Sequence, residues 1–212
     1  MKVVVFGANG RTGKELVKRL VEKGHEVVAV ARNIDKLDFG QLQVEKVQAE
    51  VTKLDEVEKV FKKRGIEVVY NALGPKSLFD KGTEVVNAIE NIIQISEKYK
   101  VKRFIHISFA AVREDRKNIS LLYKYIIPNV MSTLVNGHKN RENLVKKSRL
   151  SWIIVQPPVL TDKGFTGKYK VERRIESGKG LKKKLSRGNL AHYMVELLEQ
   201  PKLKNKEIFI SE

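Results

Sequence analysis

The chain of 212 residues contains no cysteine. Disulfides, thiolate metal sites and a cysteine nucleophile are therefore excluded, and no other metal site is expected. Aromatic rings are few: one Trp, six Tyr and eight Phe, none interleaved with the basic clusters as a stacking platform for nucleic acid requires. No apolar run approaches the length of a membrane span, so no membrane partner is expected. Met1 leads into a strand pattern instead of a charged and then apolar leader, which makes the cytoplasm the expected compartment. Acidic residues are in deficit, with 25 Asp and Glu against 42 Lys and Arg, a formal net charge of +17. Such a balance can mark a nucleic-acid binder. The cations, however, are spread along the whole chain, and clusters such as Lys62-Lys63-Arg64, Lys146-Lys147 and Lys182-Lys183-Lys184 are short. They read as solvated lysine-rich faces, with nucleic acid not expected as a partner. A basic surface still favours a polyanionic small molecule.

What is present is alternation. Val3–Phe6 is a β-branched run, followed by a helical face at Leu16, Val17, Leu20 and Val21. Strands are expected at 26–31, 44–48, 66–70 and 103–108, and helices at 83–99 and 139–147, with Thr52 and Asp55 capping another that runs to Arg64. A sixth strand, in "SWIIVQPP", stops at Pro157-Pro158. A strand near 169–174, a helix over 188–199 with Ser186 near its start, and a short strand at 207–210 complete the chain. No repeat or linker interrupts it. Strands alternating with helices imply an α/β fold with a doubly wound, mostly parallel sheet, a single domain over 1–212 with a small C-terminal elaboration.

"GANGRTG" lies between the first strand and the first helix. Gly7 would allow the tight turn, Gly10 close approach of the backbone to a pyrophosphate, and Gly13 close packing of helix on sheet. The helix N-terminus then points free N–H groups at phosphate. The alternative is three structural turn glycines. An NAD site carries an acidic residue at the end of the second strand to accept from the ribose hydroxyls. This chain has Arg32 there, and Arg11 inside the loop. Two guanidiniums suit a 2′-phosphate, so NADPH is the expected cofactor, unless both are surface arginines.

The order of "GANGRTG", Arg32, "NALGP" (Asn71–Pro75), "HIS" (His106–Ser108), "SRLSWIIVQPPVLTD", "TGKYKV" and "SRGNLAHYMVELL" resembles an atypical short-chain dehydrogenase/reductase, Rossmann-type, of the NAD(P)H-binding group that includes flavin reductase (biliverdin reductase B). The resemblance spans essentially the whole chain. It implies that Gly7, Asn9, Gly10, Arg11, Thr12 and Gly13 hold the pyrophosphate and ribose phosphate, with Arg32 on the 2′-phosphate. Glu50 and Val51 stand where the family has Asp-Val near the adenine. Ala72, Leu73 and Gly74 pass under the adenine-side ribose and diphosphate. Ser108, Phe109 and Ala110 line the nicotinamide end, and Pro157, Pro158 and Val159 border the carboxamide.

The wider superfamily uses a Tyr-x-x-x-Lys pair to deliver a proton to the substrate oxygen. Counted back from "SRLSW", those positions fall at Leu134 and His138, and Leu cannot donate a proton. Tyr123 and Tyr125 read as packing residues, and His106 as a core or opposite-face histidine. The missing acid fits hydride transfer to a flavin (FMN or FAD) or a quinone, where positioning supplies most of the rate. Ser108 and His138 are the catalytic candidates, with a surface histidine the alternative for His138. A non-catalytic NADP(H) sensor of the NmrA type is the rival, and a sugar-nucleotide epimerase lacks both the Tyr and room for a substrate domain. The acceptor pocket is expected from about 109–135 and 159–180. The apolar stretch within 121–134 would cover the site or make a homodimer, leaving monomer and homodimer both open.

Overall fold

The computed structural model describes residues 1–74, 82–176 and 184–212. Pro75 of "NALGP", Lys182, Lys183 and the last four residues of the expected 159–180 element lie outside the described residues.

Alternating burial builds the sheet. In β1 (Lys2–Phe6), Val3 and Val5 face one layer of the core while Val4 and Phe6 face the other. A strand buried on both faces reads as a continuous apolar run, which is why it is visible in the sequence. β1 pairs in parallel with β2 (Glu26–Ala31) and β4 (Val68–Asn71), β2 with β3 (Glu45–Gln48), and β4 with β5 (Arg103–Ile107). β6 (Trp152–Gln156) follows β5, and β10 (Lys206–Ser211) lies beside β6, also parallel. β8 (Lys170–Glu172) closes the edge antiparallel, giving the order β3-β2-β1-β4-β5-β6-β10-β8. This is a doubly wound, Rossmann-like sheet whose strand order reverses between β1 and β4. Ligands of such folds lie outside the carboxyl ends of the strands at that reversal.

α1 (Arg11–Glu22) and α6 (Arg187–Glu196) cover one face. α2 (Leu54–Phe61), α3 (Thr83–Lys98) and α5 (Ser132–Lys147) cover the other. Two buried polar contacts tie α6 and its following turn to the sheet. The Tyr70 hydroxyl donates to the Met194 carbonyl at 3.1 Å, and Arg103 donates to the carbonyls of Leu197 and Gln200.

Local differences have local causes. α2 starts at Leu54 with no side-chain cap, because the Thr52 hydroxyl turns to the Glu50 carboxylate at 3.2 Å. It ends at Phe61, since Lys62 is extended and both Lys63 and Gly65 adopt positive φ. The stretch 121–131 holds a wide π-turn at Leu122–Ile126 and the single turn α4 (Ile127–Val130), with Pro128 in its first turn. A second, two-stranded parallel sheet of β7 (Val159–Thr161) and β9 (Lys184–Ser186) had no signal in the pattern, each strand being only three residues.

Ser186 caps α6, its buried hydroxyl accepting from the Asn189 N–H at 3.0 Å. Ser186→Ala is expected to lower stability by about 1 kcal/mol. Urea unfolding checks this, and Ser186→Thr should recover most of the loss.

Candidate cofactor site

The glycine loop is tight for identifiable reasons. Gly7 sits at φ +81°, where a Cβ would come within 2.8 Å of the Ala72 carbonyl group on the neighbouring strand end. A Cβ on Gly13 would lie 2.1 Å from the Gly7 oxygen, so only glycine lets the first turn of α1 pass that close. The Gly10 N–H closes the loop onto the Gly7 carbonyl at 3.0 Å. Gly10, at the cap position of α1, offers no side chain to the free N–H groups of the first helical turn. Uncapped N–H groups at the positive end of a twelve-residue helix form an anion site, and the glycines keep it open to a diphosphate.

A cleft of about 610 Å³ runs from this loop along the ends of β1, β2 and β4. Gly7, Asn9 and Gly10 form one wall, Arg32, Asn33 and Lys36 the end, and Val51, Ala72, Leu73 and Gly74 the opposite side. No carboxylate among the described residues lines it. A small adjoining slot contains Arg32, Glu50, Val51, Thr52 and Leu73, so Arg32 stands at the junction of cleft and slot.

Arg11 goes elsewhere. Its guanidinium meets Asp162 at 2.7 Å, and the other oxygen of that carboxylate holds Arg187 at 2.6 Å. Arg11, the first residue of α1, thus pairs with Asp162 just after β7 and does not line the cleft with Arg32, where the sequence expected both on one phosphate. Thr12 shares that first turn but lines neither cavity.

At the ends of β5 and β6 the other candidates do meet. The Ser108 hydroxyl lies 3.4 Å from His138 Nδ1, and the rings of His138 and Phe109 are 5.9 Å apart. The Ala110 N–H donates to the Pro157 carbonyl at 2.9 Å, tying the two strand ends together. Pro158 is buried beside it, and Val159 is half exposed. The Val159 N–H donates to the Tyr123 hydroxyl at 3.1 Å, and burial pushes that phenol up to about 12. Tyr123 is thus the packing residue expected. Tyr125 is not: it is 54% exposed. Leu134, which the count from "SRLSW" set at the superfamily tyrosine position, packs with Phe109 and Tyr123.

Two histidines here are held neutral. Burial, then the nearby Arg141 cation and His106, push His138 well below its ordinary value. His106 is fully buried, its Nδ1 3.1 Å from the Asn71 amide, and burial lowers it to about 3. The unfolded chain protonates such a histidine near pH 6.5 while the folded protein does not. For His106 stability is therefore lost as pH falls from about 6.5 toward 3, at about 1.4 kcal/mol per pH unit, and His138 acts in the same direction. From pH 7 to 5 His106 alone should cost about 2 kcal/mol, and His106→Gln should flatten the curve by that amount in urea unfolding.

Sequence reasoning missed Glu142, one turn after His138 and 1% exposed. Its Oε1 accepts from the Gln156 amide at 2.8 Å, and Lys146 Nζ lies 3.2 Å from Oε2. Gln156 in turn accepts from Arg113 at 2.6 Å. Burial raises the Glu142 carboxyl, with the Ser108 hydroxyl opposing. The i, i+4 spacing from His138 was the available signal, since it puts both on one helix face. A larger cleft of about 920 Å³ lies beyond this network, near Arg113, Lys139 and Arg173. Its eight cations and four acids give a ratio close to the whole chain's 42 to 25, so its charge is not distinctive.

A family model for NAD(P)H-binding proteins matches residues 7–201. The chain belongs to the NAD(P)H-binding family. Among relatives of this NAD(P)H-binding protein, an uncharacterized chloroplastic protein of Arabidopsis thaliana is 28% identical over 213 residues, 94% of this chain and 72% of the relative. A solved Streptococcus pneumoniae protein that carries the name NADH-flavin reductase is 23% identical, with a TM-score of 0.80 over 100% of this chain and 99% of the other. A short-chain dehydrogenase/reductase from Veillonella parvula, solved with NADP, is 15% identical, with a TM-score of 0.79 over 100% and 94%. The two structures share the fold, and the family match makes the chain an NAD(P)H-binding protein.

Proposed function

We propose that the protein is an NADPH-dependent reductase that transfers hydride to a planar acceptor, a flavin or a quinone. The observation that carries this is a glycine-loop cleft in which Arg32 and Lys36 meet no carboxylate among the described residues, joined to a reaction end where Leu134 packs at the position counted as the superfamily tyrosine. Gly7, Gly10 and Gly13, with the N–H groups of the first α1 turn, bind the diphosphate. Arg32, with Lys36 in the same cleft, takes the 2′-phosphate. Val51 and Leu73 sandwich the adenine beside Glu50. Bound NADPH supplies the hydride. Ser108, Phe109, Ala110, Pro157, Pro158 and Val159 orient the ring and exclude water from one side. Neutral His138 accepts from Ser108 through Nδ1 and presents Nε2–H to ribose or acceptor, a tautomer assigned from that contact. A planar acceptor spreads the incoming charge over its rings, so alignment replaces acid catalysis. The names of the pneumococcal and Veillonella neighbours support the acceptor class and the nucleotide, respectively.

Calorimetric titration with NADPH and NADH, then oxidation of NADPH followed at 340 nm with FMN, FAD and a quinone, tests the reading. Tight NADPH binding with turnover is the expected result. Tight binding without turnover over all acceptors would replace it with the NADP(H) sensor, and binding of neither nucleotide would remove both.

A further inference from the structure

The segment from Leu121 to Val130 presents large apolar side chains to solvent. Leu121 is 73% exposed, Val130 74%, Tyr125 54% and Ile126 53%, and Leu122 lies beside them. Leu122, Ile126 and Val130 recur every four residues, as do Leu121 and Tyr125, so the helical turns gather them on one outward face. The inward face is separately satisfied, with Tyr123 and Ile127 buried against Phe109. The outer stripe is therefore surplus to the core. Through the Tyr123 hydroxyl on Val159 it is fastened beside the reaction end of the site.

Its charge is one-sided. From Arg116 to Arg141 no acidic residue occurs, while five cations do, of which Arg116, Lys117 and Lys139 line the larger cleft and Lys124 stands at the stripe. Lys124 Nζ lies 4.6 Å from the centre of the Tyr125 ring, placing a cation at the margin of the stripe. A second copy of the chain is a poor occupant, because a two-fold contact would set this acid-free segment against itself in a molecule of net charge +17. The side chains protrude and none lines either large cleft, so the face is not a groove built for a peptide helix. Protruding aliphatic and Tyr side chains with Lys124 at their margin, on a molecule of net charge +17, match an anionic lipid surface, where apolar groups enter the headgroup boundary and cations meet phosphates.

We infer that the Leu121–Val130 face docks the protein on an anionic membrane surface. This revises the expectation of no membrane partner, which rested on run length and so concerned spanning alone. Combined with the proposed reductase reading, on which this clause rests, it makes a lipid-dissolved quinone the acceptor delivered to the site.

Co-sedimentation with vesicles of phosphatidylcholine alone, and of phosphatidylcholine doped with phosphatidylglycerol, tests the docking. Binding is expected only to the anionic vesicles, weakened by salt. Leu121→Ser/Val130→Ser and Lys124→Glu should each reduce it by more than about tenfold. Both variants alter exposed side chains outside the nucleotide cleft, so their circular dichroism and NADPH affinity by calorimetry should match the parent. No binding to anionic vesicles, equal binding by the variants, or a dimer that these variants dissociate in sedimentation equilibrium would overturn the inference. Absence of NADPH oxidation with every acceptor would sink the reductase reading while leaving the vesicle result standing.

Discussion

Gly13→Ala should abolish nucleotide binding at micromolar concentration and destabilise the fold. Two effects oppose each other. Alanine is the better helix former by up to about 1 kcal/mol, and Gly13 lies in the first turn of α1. Against that, the added methyl would sit 2.1 Å from the Gly7 oxygen and 2.9 Å from the Ala8 Cα, both backbone atoms. Backbone cannot rotate aside, and overpacking of this kind costs about 1–3 kcal/mol. The Gly7 carbonyl also accepts the Gly10 N–H, so relief by displacing it would open the phosphate loop itself. The clash wins, with a net loss of about 1–2 kcal/mol in urea unfolding and a fall in NADPH affinity of about 100-fold or more. A variant that binds NADPH within threefold of the parent by calorimetry would show that the loop does not hold the diphosphate.

Arg32→Asp should invert the choice between nucleotides. Hydrogen bonds to charged groups contribute about 1.5–3 kcal/mol, so losing the guanidinium costs about 10- to 150-fold in NADPH affinity, and the new carboxylate adds repulsion. NADH, which has no 2′-phosphate, gains an acceptor for its ribose hydroxyl and should bind as well as before or better. Lys36, in the same cleft, keeps some attraction for phosphate, so the NADPH loss should saturate near 100-fold instead of becoming total. Calorimetry with both nucleotides reads the ratio directly. A ratio that moves less than fivefold would remove Arg32 as the discriminating residue and the preference for NADPH with it.

The β1–α1–β2 unit was legible because its strands are buried on both faces and its helix has one apolar stripe. The same holds for α3, whose boundaries differ from the expected ones by a single residue. The position of Arg32 at the end of β2 followed from that unit alone. Arg11 was not legible: the residue type was right for phosphate, but its direction depends on Asp162 and Arg187, far along the chain. Glu142 was hidden because a charged residue on a basic helix reads as solvated, and only the fold shows it enclosed by Gln156 and Lys146. Hydrophobicity could not place the 121–130 stretch either, since an apolar residue in a sequence carries no mark of which side faces water.

The position of β10 has a consequence for how the chain reaches this state. Residues 206–211 are the last strand in the sequence, yet they lie inside the sheet between β6 and β8. Among the described residues β8 pairs only with β10, so residues 170–172 gain their partner in the main sheet after the chain has looped forward and returned. Assembly is therefore ordered: the six-strand platform from β3 to β6, with its nucleotide cleft, can form first, and the far edge zips up afterwards. Contacts of such long loop closure are slow to form. In a refolding experiment, amide protection along β1 and β4 should precede that along β8.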